Sequence, residues 1–440
     1  VLEWWGIRGA ETTHACKNAM ISSSCSFLVQ SHRPRWDRAV PESYVGKRGI
    51  STMNVKTRRW AAGLICCVPL ALFSSLSLAQ PARPAAIRTF EPASNADATL
   101  VVVDEQSLRA AALRSGKIVL EGLALDAGRP ISLEVEPLRV VGPKTRIVVG
   151  RRGGLDEPVA FDFSSVQLFH GKVQGHPDSN VVLFASPRGV RAHIDMGRTG
   201  QRYMLSAVGS DALRAGSALA EVRPVKPGSD RLPDVPMCGR DAVSLANEIG
   251  SVAGCCFEPL PEVVYHKRLA VTEIAIETDY ELYANFNDLT VTTDYVIELI
   301  ARTNAIFMRD VDTRFEIVFL RLFDNPADEP SFMSNADPLN GYVNFWNANM
   351  GAVARDTGTF LTGRRDLPYG GIAYIGAVCT DFAYCVCGYL NGFPDPTRPN
   401  SGDYDLGVVA HELGHNFNAC HTPDYCPQVD QCYPPPTVPQ

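Results

Sequence analysis

Residues 403–422 read DYDLGVVAHELGHNFNACHT, and this stretch decides how the rest of the chain is read. It is predicted as a helix. On it His411 and His415 stand four residues apart, so they share a face about one turn from each other and both imidazoles can reach one ion. Glu412 projects beside them, placed to take a proton from water at that ion. A five-residue HExxH pattern alone arises by chance. Here His421 follows six residues after His415. Three neutral ring nitrogens with one position left open is the arrangement of a catalytic zinc, whereas a structural site would be closed by a fourth ligand. Three solvated histidines on an accidental helix would be the plain alternative, and the spacing speaks against it.

Working upstream, strand and helix patterns alternate. VTEIAIETDYELY reads as a strand leading into a turn. Residues 291–311 carry Val296, Leu299, Ile300, Thr303, Ile306 and Phe307 at helical spacing, and TRFEIVFLRLF is a strand. Phe360–Thr362 and Gly371–Ile375 are short strand candidates. Alternation of this kind over about 180 residues predicts an α/β or α+β domain. Residues 98–205 differ. Short Val- and Ile-rich runs between Gly, Asp and Pro punctuation predict strands almost throughout. His170, His176 and His193 are scattered there without ligand spacing and read as turn or surface residues. RPVKPGSDRLPDVP, within 206–261, is the most linker-like segment.

With these residues in view, AHELGHNF followed by CHT resembles the reprolysin/ADAM-like branch of the metzincin zinc proteases, which has secreted bacterial members. The similarity extends to AIETDYELY, to the long helix after it and to FLTGRRDLPYGGIAYIGAVCT. Upstream, HGKVQGHPDSNVVL resembles that family's propeptide, so coverage is roughly 98–440. The resemblance implies an α+β (α/β-like) catalytic domain at 262–440, with a mixed twisted sheet and an active-site helix. It implies a β-rich propeptide at 80–261 before it. His411, His415 and His421 would hold one Zn2+ and Glu412 would be the general base. Gly371, Ile372, Ala373 and Tyr374 would form an edge strand that binds an extended peptide, although an ordinary core strand reads the same way. Two departures stand out. Asn418 occupies the turn after the helix where the family has Gly; that turn needs a left-handed residue, and Asn is the next most tolerant choice. Metzincins also continue to a Met-containing turn beneath the zinc. This sequence ends at Gln440 with no methionine after Met350, which reads as a sequence stopping short of that turn.

The chain has 13 cysteines. Cys379, Cys385, Cys387, Cys420, Cys426 and Cys432 fall in the catalytic half and, in an exported protein, read as disulfide partners of open connectivity. The pair at 385 and 387 lacks a matching pair for a second metal site. Cys238, in VPMCGRD, resembles the propeptide cysteine switch: a thiolate filling the fourth zinc position would keep water out. A disulfide with Cys255 or Cys256 is the alternative. Activation would need a cut between Cys238 and Val271, where Lys267-Arg268 is the dibasic pair.

The N-terminal region carries an address. Lys56, Arg58 and Arg59 precede an apolar run to Ala79, with Ser77-Leu78-Ala79 supplying small residues before a cut. Residues 53–79 are therefore expected to be a secretory signal, so the protein would be secreted or periplasmic, with no stable membrane insertion afterwards. Pro69 and serines interrupt the run, which argues against an anchor. Residues 1–52 show no sustained period and read as an over-extended leader ahead of Met53.

Of 440 residues, 45% are hydrophobic and 20% charged, enough for two or three domains with cores. From Glu262 onward there are 24 acids and 10 bases, a net −14; the overall −7 leaves +7 for the rest. Such an acidic half argues against nucleic acid as a partner there and does not name a substrate; protein or peptide substrates are what the resemblance implies. Ca2+ is compatible with the acid excess, yet no EF-hand-like spacing supports it, and a solvated surface explains the charge more simply. Two functions compete. One is a secreted zinc metalloendopeptidase made as a zymogen; the other is a catalytically silent, zinc-stabilised binding protein, for which the retained Glu412 would have no use. An aminopeptidase would need a closed cleft and an amine-binding acid, and neither is evident.

Overall fold

Alternating apolar residues in the N-terminal half do form strands. The computed structural model describes residues 84–92, 100–125, 130–153, 156–207, 217–225, 233–239, 269–392 and 403–421. The expected leader, the signal segment, Cys255, Cys256, Lys267, Arg268, Cys426 and Cys432 lie outside these residues.

The first sheet takes in β1 (Ala85–Arg88), β2 (Phe90–Pro92) and β3 (Leu100–Asp104), followed by helix α1 (Glu105–Ala112). It continues through β4 (Ile118–Leu123) and β5 (Ile131–Pro137). Two strands then leave it, β6 (Val141–Val149) and β7 (Glu157–Pro158). The sheet resumes with β8 (Gln167–Val173), β9 (Asn180–Ser186), β10 (Gly189–Asp195), β11 (Arg202–Ala207) and β12 (Ser217–Pro224). Its order is β1-β4-β5-β8-β9-β10-β11-β12-β3-β2. β1 pairs with β4, and β2, just past Thr89, pairs with β3, so one stretch of chain joins both edges. Thr89 seals the seam: its N–H donates to Glu121 O and its carbonyl accepts from Asp104 N. The sheet is thereby closed into a barrel, which leaves no free edge. Phe90, Leu120, Phe169, Leu183 and Leu205 are among the side chains packed inside.

The second sheet is built from β13 (Ala270–Thr278), β14 (Thr313–Leu322), β15 (Thr357–Leu361), β16 (Gly371–Ala373) and β17 (Tyr384–Cys387). Its order is β16-β17-β15-β13-β14-β6-β7, parallel except for β16 and β7. This is the mixed sheet of an α+β domain. A one-turn helix α2 (Tyr280–Tyr283) follows β13, and α3 (Leu289–Asp310) runs from β13 to β14. Asp288 caps α3, accepting from Thr290 N and Val291 N. Helix α4 (Pro338–Asn349) packs its Tyr342 and Trp346 with Ala275, Phe319 and Phe360 on one face of the sheet. Ile274, Ile276 and Leu320 point the other way, toward α3 and α5 (Asp403–Asn416). Burial on both faces explains why these strands read as nearly continuous apolar runs.

Two features depart from the sequence reading. The β-rich region and the catalytic half do not keep to separate sheets: β6, with β7 behind it, adds to the edge of β14. Period-two alternation says which residues share a face, not which edge a strand will join. The acid excess is also not purely a solvated surface. Polar positions of α3, among them Asp294 and Glu298, are buried beneath the barrel, where Arg188 pairs with Asp294 and Arg191 with Glu298.

Candidate metal centre

Helix α5 holds His411 and His415 on one face, as their spacing requires, with Nε2 atoms 3.0 Å apart. The helix ends in a tight return: Asn418 N donates to His415 O and Ala419 N to Gly414 O. Asn418 takes φ 73°, the left-handed conformation expected of that turn. The return swings His421 back, its ring centroid 4.7 Å from that of His415 and 5.3 Å from that of His411.

Cys238 completes the cluster. One ligand atom each from Cys238, His411, His415 and His421 lie within 4.8 Å of one another. The thiol is 3.6 Å from His415 Nε2. It arrives on an extended segment laid along β16: Gly370 N and Gly371 N donate to Pro236 O and Met237 O, and Gly239 N donates to Gly371 O. Gly371 to Ala373 is thus an edge strand whose outer side is taken by the chain's own residues 236–239. Tyr374, just past it, is buried and its hydroxyl donates to Asn340.

Glu412 is fully buried, and neither carboxyl oxygen has a hydrogen-bond partner among the described residues. Burial pushes its pKa well above the usual carboxylate value. The backbone of β16 lies directly against it. A Cβ on Gly371 would come 2.6 Å from Glu412 Cγ, so only glycine lets strand and helix approach this closely.

The donor set fits a divalent cation. His415 Nδ1 lies 2.6 Å from Ala419 O, so Nδ1 carries the proton and Nε2 turns its lone pair into the cluster. Burial lowers the pKa of His415 to about 4 and that of His411 well below 6.5, which keeps both imidazoles neutral. At 3.0 Å the His411 and His415 Nε2 atoms are close enough to share one proton or to face one cation. Imidazole with thiolate is a zinc-type set. The thiol of Cys238 is meanwhile pushed up, by burial first and then by Glu412.

The reading from sequence missed the residues that hold this frame. The side-chain amide of Asn416 donates to Tyr374 O and Tyr384 O and accepts from Thr357, which ties the end of α5 to β15, to β17 and to the residue just past β16. Asp405, near the start of α5, accepts from Asn391 N, Gly392 N and the Tyr295 hydroxyl. Burial raises its pKa to about 6, although these donors oppose the rise. A buried carboxylate two residues inside a helix is a weak signal in sequence, since the same Asp serves equally as a first-turn charge.

Cysteines and one histidine call for correction. Cys420 is disulfide-bonded, but Cys379, Cys385 and Cys387 are free thiols, and the last two are fully buried. They lie inside the second sheet, where a small apolar residue is all the packing asks. His193 is not a surface residue: it faces α3, its Nε2 3.2 Å from Glu298 Oε1.

Residues 268–438 match the sequence profile Reprolysin_5, metallo-peptidase family M12. Among solved structures, metalloproteinase-II from Bacteroides fragilis aligns with 72% of this chain and 85% of its own, at 12% identity and a TM-score of 0.35. A structure of a chaperone–substrate complex aligns with 33% of this chain at 12% identity and a TM-score of 0.25, and only 23% of that chain's own length is covered. Likenesses this weak say nothing of activity, and the assignment stands on the sequence match. That match takes in β13 to α5 and all three histidines, so residues 268–438 are similar to the reprolysin-like metallopeptidases of family M12.

Proposed function

We propose that this chain is an exported, zinc-dependent endopeptidase made as a latent zymogen. The observation that supports this reading most is the convergence of Cys238, His411, His415 and His421 beside the unpartnered carboxyl of Glu412. Zinc held by the three histidines supplies Lewis acidity, which acidifies water and polarises a carbonyl. Glu412 takes the proton of the attacking water and passes it to the leaving amine. His415 is held in the required tautomer by Ala419 O.

Substrate lies along β16. Residues 236–239 already use that edge through Gly370 and Gly371, and the chain continues past both ends of the segment. A cleft crossed in this way accepts the interior of a peptide, which favours cleavage of internal bonds. Main-chain bonds of this kind demand no particular sequence. Latency follows from the same geometry, because Cys238 stands where the attacking water must enter.

Hydrolysis of a quenched peptide mixture by the cleaved protein, beside a Glu412→Ala copy, tests the reading with zinc quantified in both. Wild-type turnover that falls by about 10²–10⁴ in the variant at equal zinc supports it. Zinc in both with turnover in neither means a silent, metal-stabilised protein.

A further inference from the structure

The excursion of β6 and β7 out of the barrel has an unusual form. β5 and β8 pair directly with each other, with Leu133 opposite Val173 and Pro137 opposite Phe169. The residues between them, 138–166, are therefore an arm extended from a closed barrel into a neighbouring sheet. The arm is seated as a core element. β6 runs parallel to β14, with Leu320 opposite Ile147, Arg321 opposite Val148 and Leu322 opposite Val149. Its two faces enter different cores: Ile147 packs with Ile317 and Leu320, Val148 with Phe319 and Phe323. Where the pairing slips, between Ile317 and Phe319, the Thr145 hydroxyl donates to Ile317 O and accepts from Gly142 N, so the irregular stretch keeps its bonds.

Charged groups hold the far end. Arg151 pairs with Asp324 and, at 3.5 Å, with Asp328. Asp156 lies 3.5 Å from Arg321, itself buried against Glu277. Gly150 lies flat on Phe323, with a Cβ there falling 2.4 Å from its ring. Without the arm, β14 would lose its partner at Ile317 and from Phe319 to Leu322, leaving an unpaired edge with apolar side chains on both faces, a template for aggregation.

We propose that residues 138–166 are a strand-donating arm that completes the catalytic sheet, and that the barrel stays on the catalytic domain as a non-covalent subunit after the chain is cut between Cys238 and Val271. The partner that the β14 edge takes is the barrel fragment itself. Cutting frees the segment that holds Cys238, while sheet completion, by a different part of the same propeptide, persists. This rests on the reading of residues 80–261 as a removable propeptide and adds that removal of the inhibitory segment and release of the barrel are separate events.

The test uses the full chain carrying a site for a sequence-specific protease between residues 240 and 268. After cutting, the fragments are run on a sizing column at high salt, which weakens the ionic contacts of the barrel face. Val148→Pro is the probe variant. Gly150 N donates to Leu322 O, whereas Ile147 O accepts from Val159 N, so Val148 shares the side that faces β14 and proline removes a ladder bond. The wild-type fragments are expected to co-elute, as are those of an Arg191→Ala/Arg202→Ala variant. With Val148→Pro the dissociation constant rises on the order of a hundredfold and the fragments part. Should that variant not fold, Ile147→Ala is expected to give a graded loss of the same complex. Separation of the wild-type fragments on cutting, with the catalytic fragment still folded, overturns the proposal. So does release by the arginine changes but not by Val148→Pro. Peptide hydrolysis by uncut Cys238→Ala reports independently on latency: unchanged hydrolysis there would sink the zymogen reading while elution still judges the arm.

Discussion

Glu412 and Gly371 constrain each other. The carboxyl sits in a dry position beside the histidines, and β16 passes within contact of it. Gly371→Ala forces one of them to move. Overpacking of this kind costs about 1–3 kcal/mol, and the displaced carboxyl loses its aim as well. The expected outcome is a lower melting temperature together with a kcat reduced far more than that destabilisation explains, read by thermal unfolding and peptide kinetics on the same preparation. Asn418 gives a gentler case. With φ 73° it pays for a left-handed residue at the return to His421. Asn418→Gly is expected to be near neutral, whereas Asn418→Val should cost about 1–2 kcal/mol in a denaturant titration. These positions were legible because each signal is local: two histidines four apart need only a helix, and a left-handed turn needs only one residue. Asn416 and Asp405 were not, because their hydrogen bonds reach strands and loops that no local pattern names.

Among the elements, α3 is the most revealing. Its apolar stripe was readable, and it does face the sheet. Its other face carries Asp294 against the β9–β10 turn and Glu298 against β10, with Arg191 2.6 Å from Glu298 Oε2 and His193 on the other oxygen. Burial alone would raise the Glu298 pKa, but Arg191 and His193 hold it down at about 2. His193 is lowered by burial first and by Arg302 next. Both shifts have the same consequence. A histidine with a depressed pKa refuses, when docked, a proton that it accepts when free, so docking weakens as pH falls below about 6.5. A carboxylate held low keeps its contribution above about 4.5 and loses it as pH falls toward 2, on the order of 3 kcal/mol. Asp294, raised by burial despite Arg188, works in the opposite sense near its own pKa. Acid titration followed by the sizing profile of the cut protein should show the barrel loosening from about pH 6.5 downward. His193→Gln should remove the upper part of that response and leave the lower part.

Over the whole molecule, the charge asymmetry seen in sequence becomes an interface. The acidic half meets the basic one through Arg188–Asp294, Arg191–Glu298 and Arg202–Asp403. Composition supplied the two signs; it could not say that they would face each other. Nor could it reveal β6, since Thr145 and Ile317 are 172 positions apart. The domain type and the histidine cluster were readable, while the path by which one half enters the other was decided by long-range pairing alone. The metal belongs to this scale too. Stripping it with a chelator is expected to abolish hydrolysis and to lower stability by about 4 kcal/mol if the ion is normally present at a thousand times its dissociation constant. Added zinc should restore both, as followed by calorimetry with and without chelator.

Cys385 and Cys387 stand two residues apart on one face of β17, sealed at 0% exposure. In an oxidising compartment an unfolded chain would offer these thiols to each other, or to the sulfur that Cys420 needs. To stay thiols there, they would need β17 clasped between β15 and β16 before an oxidant reached them.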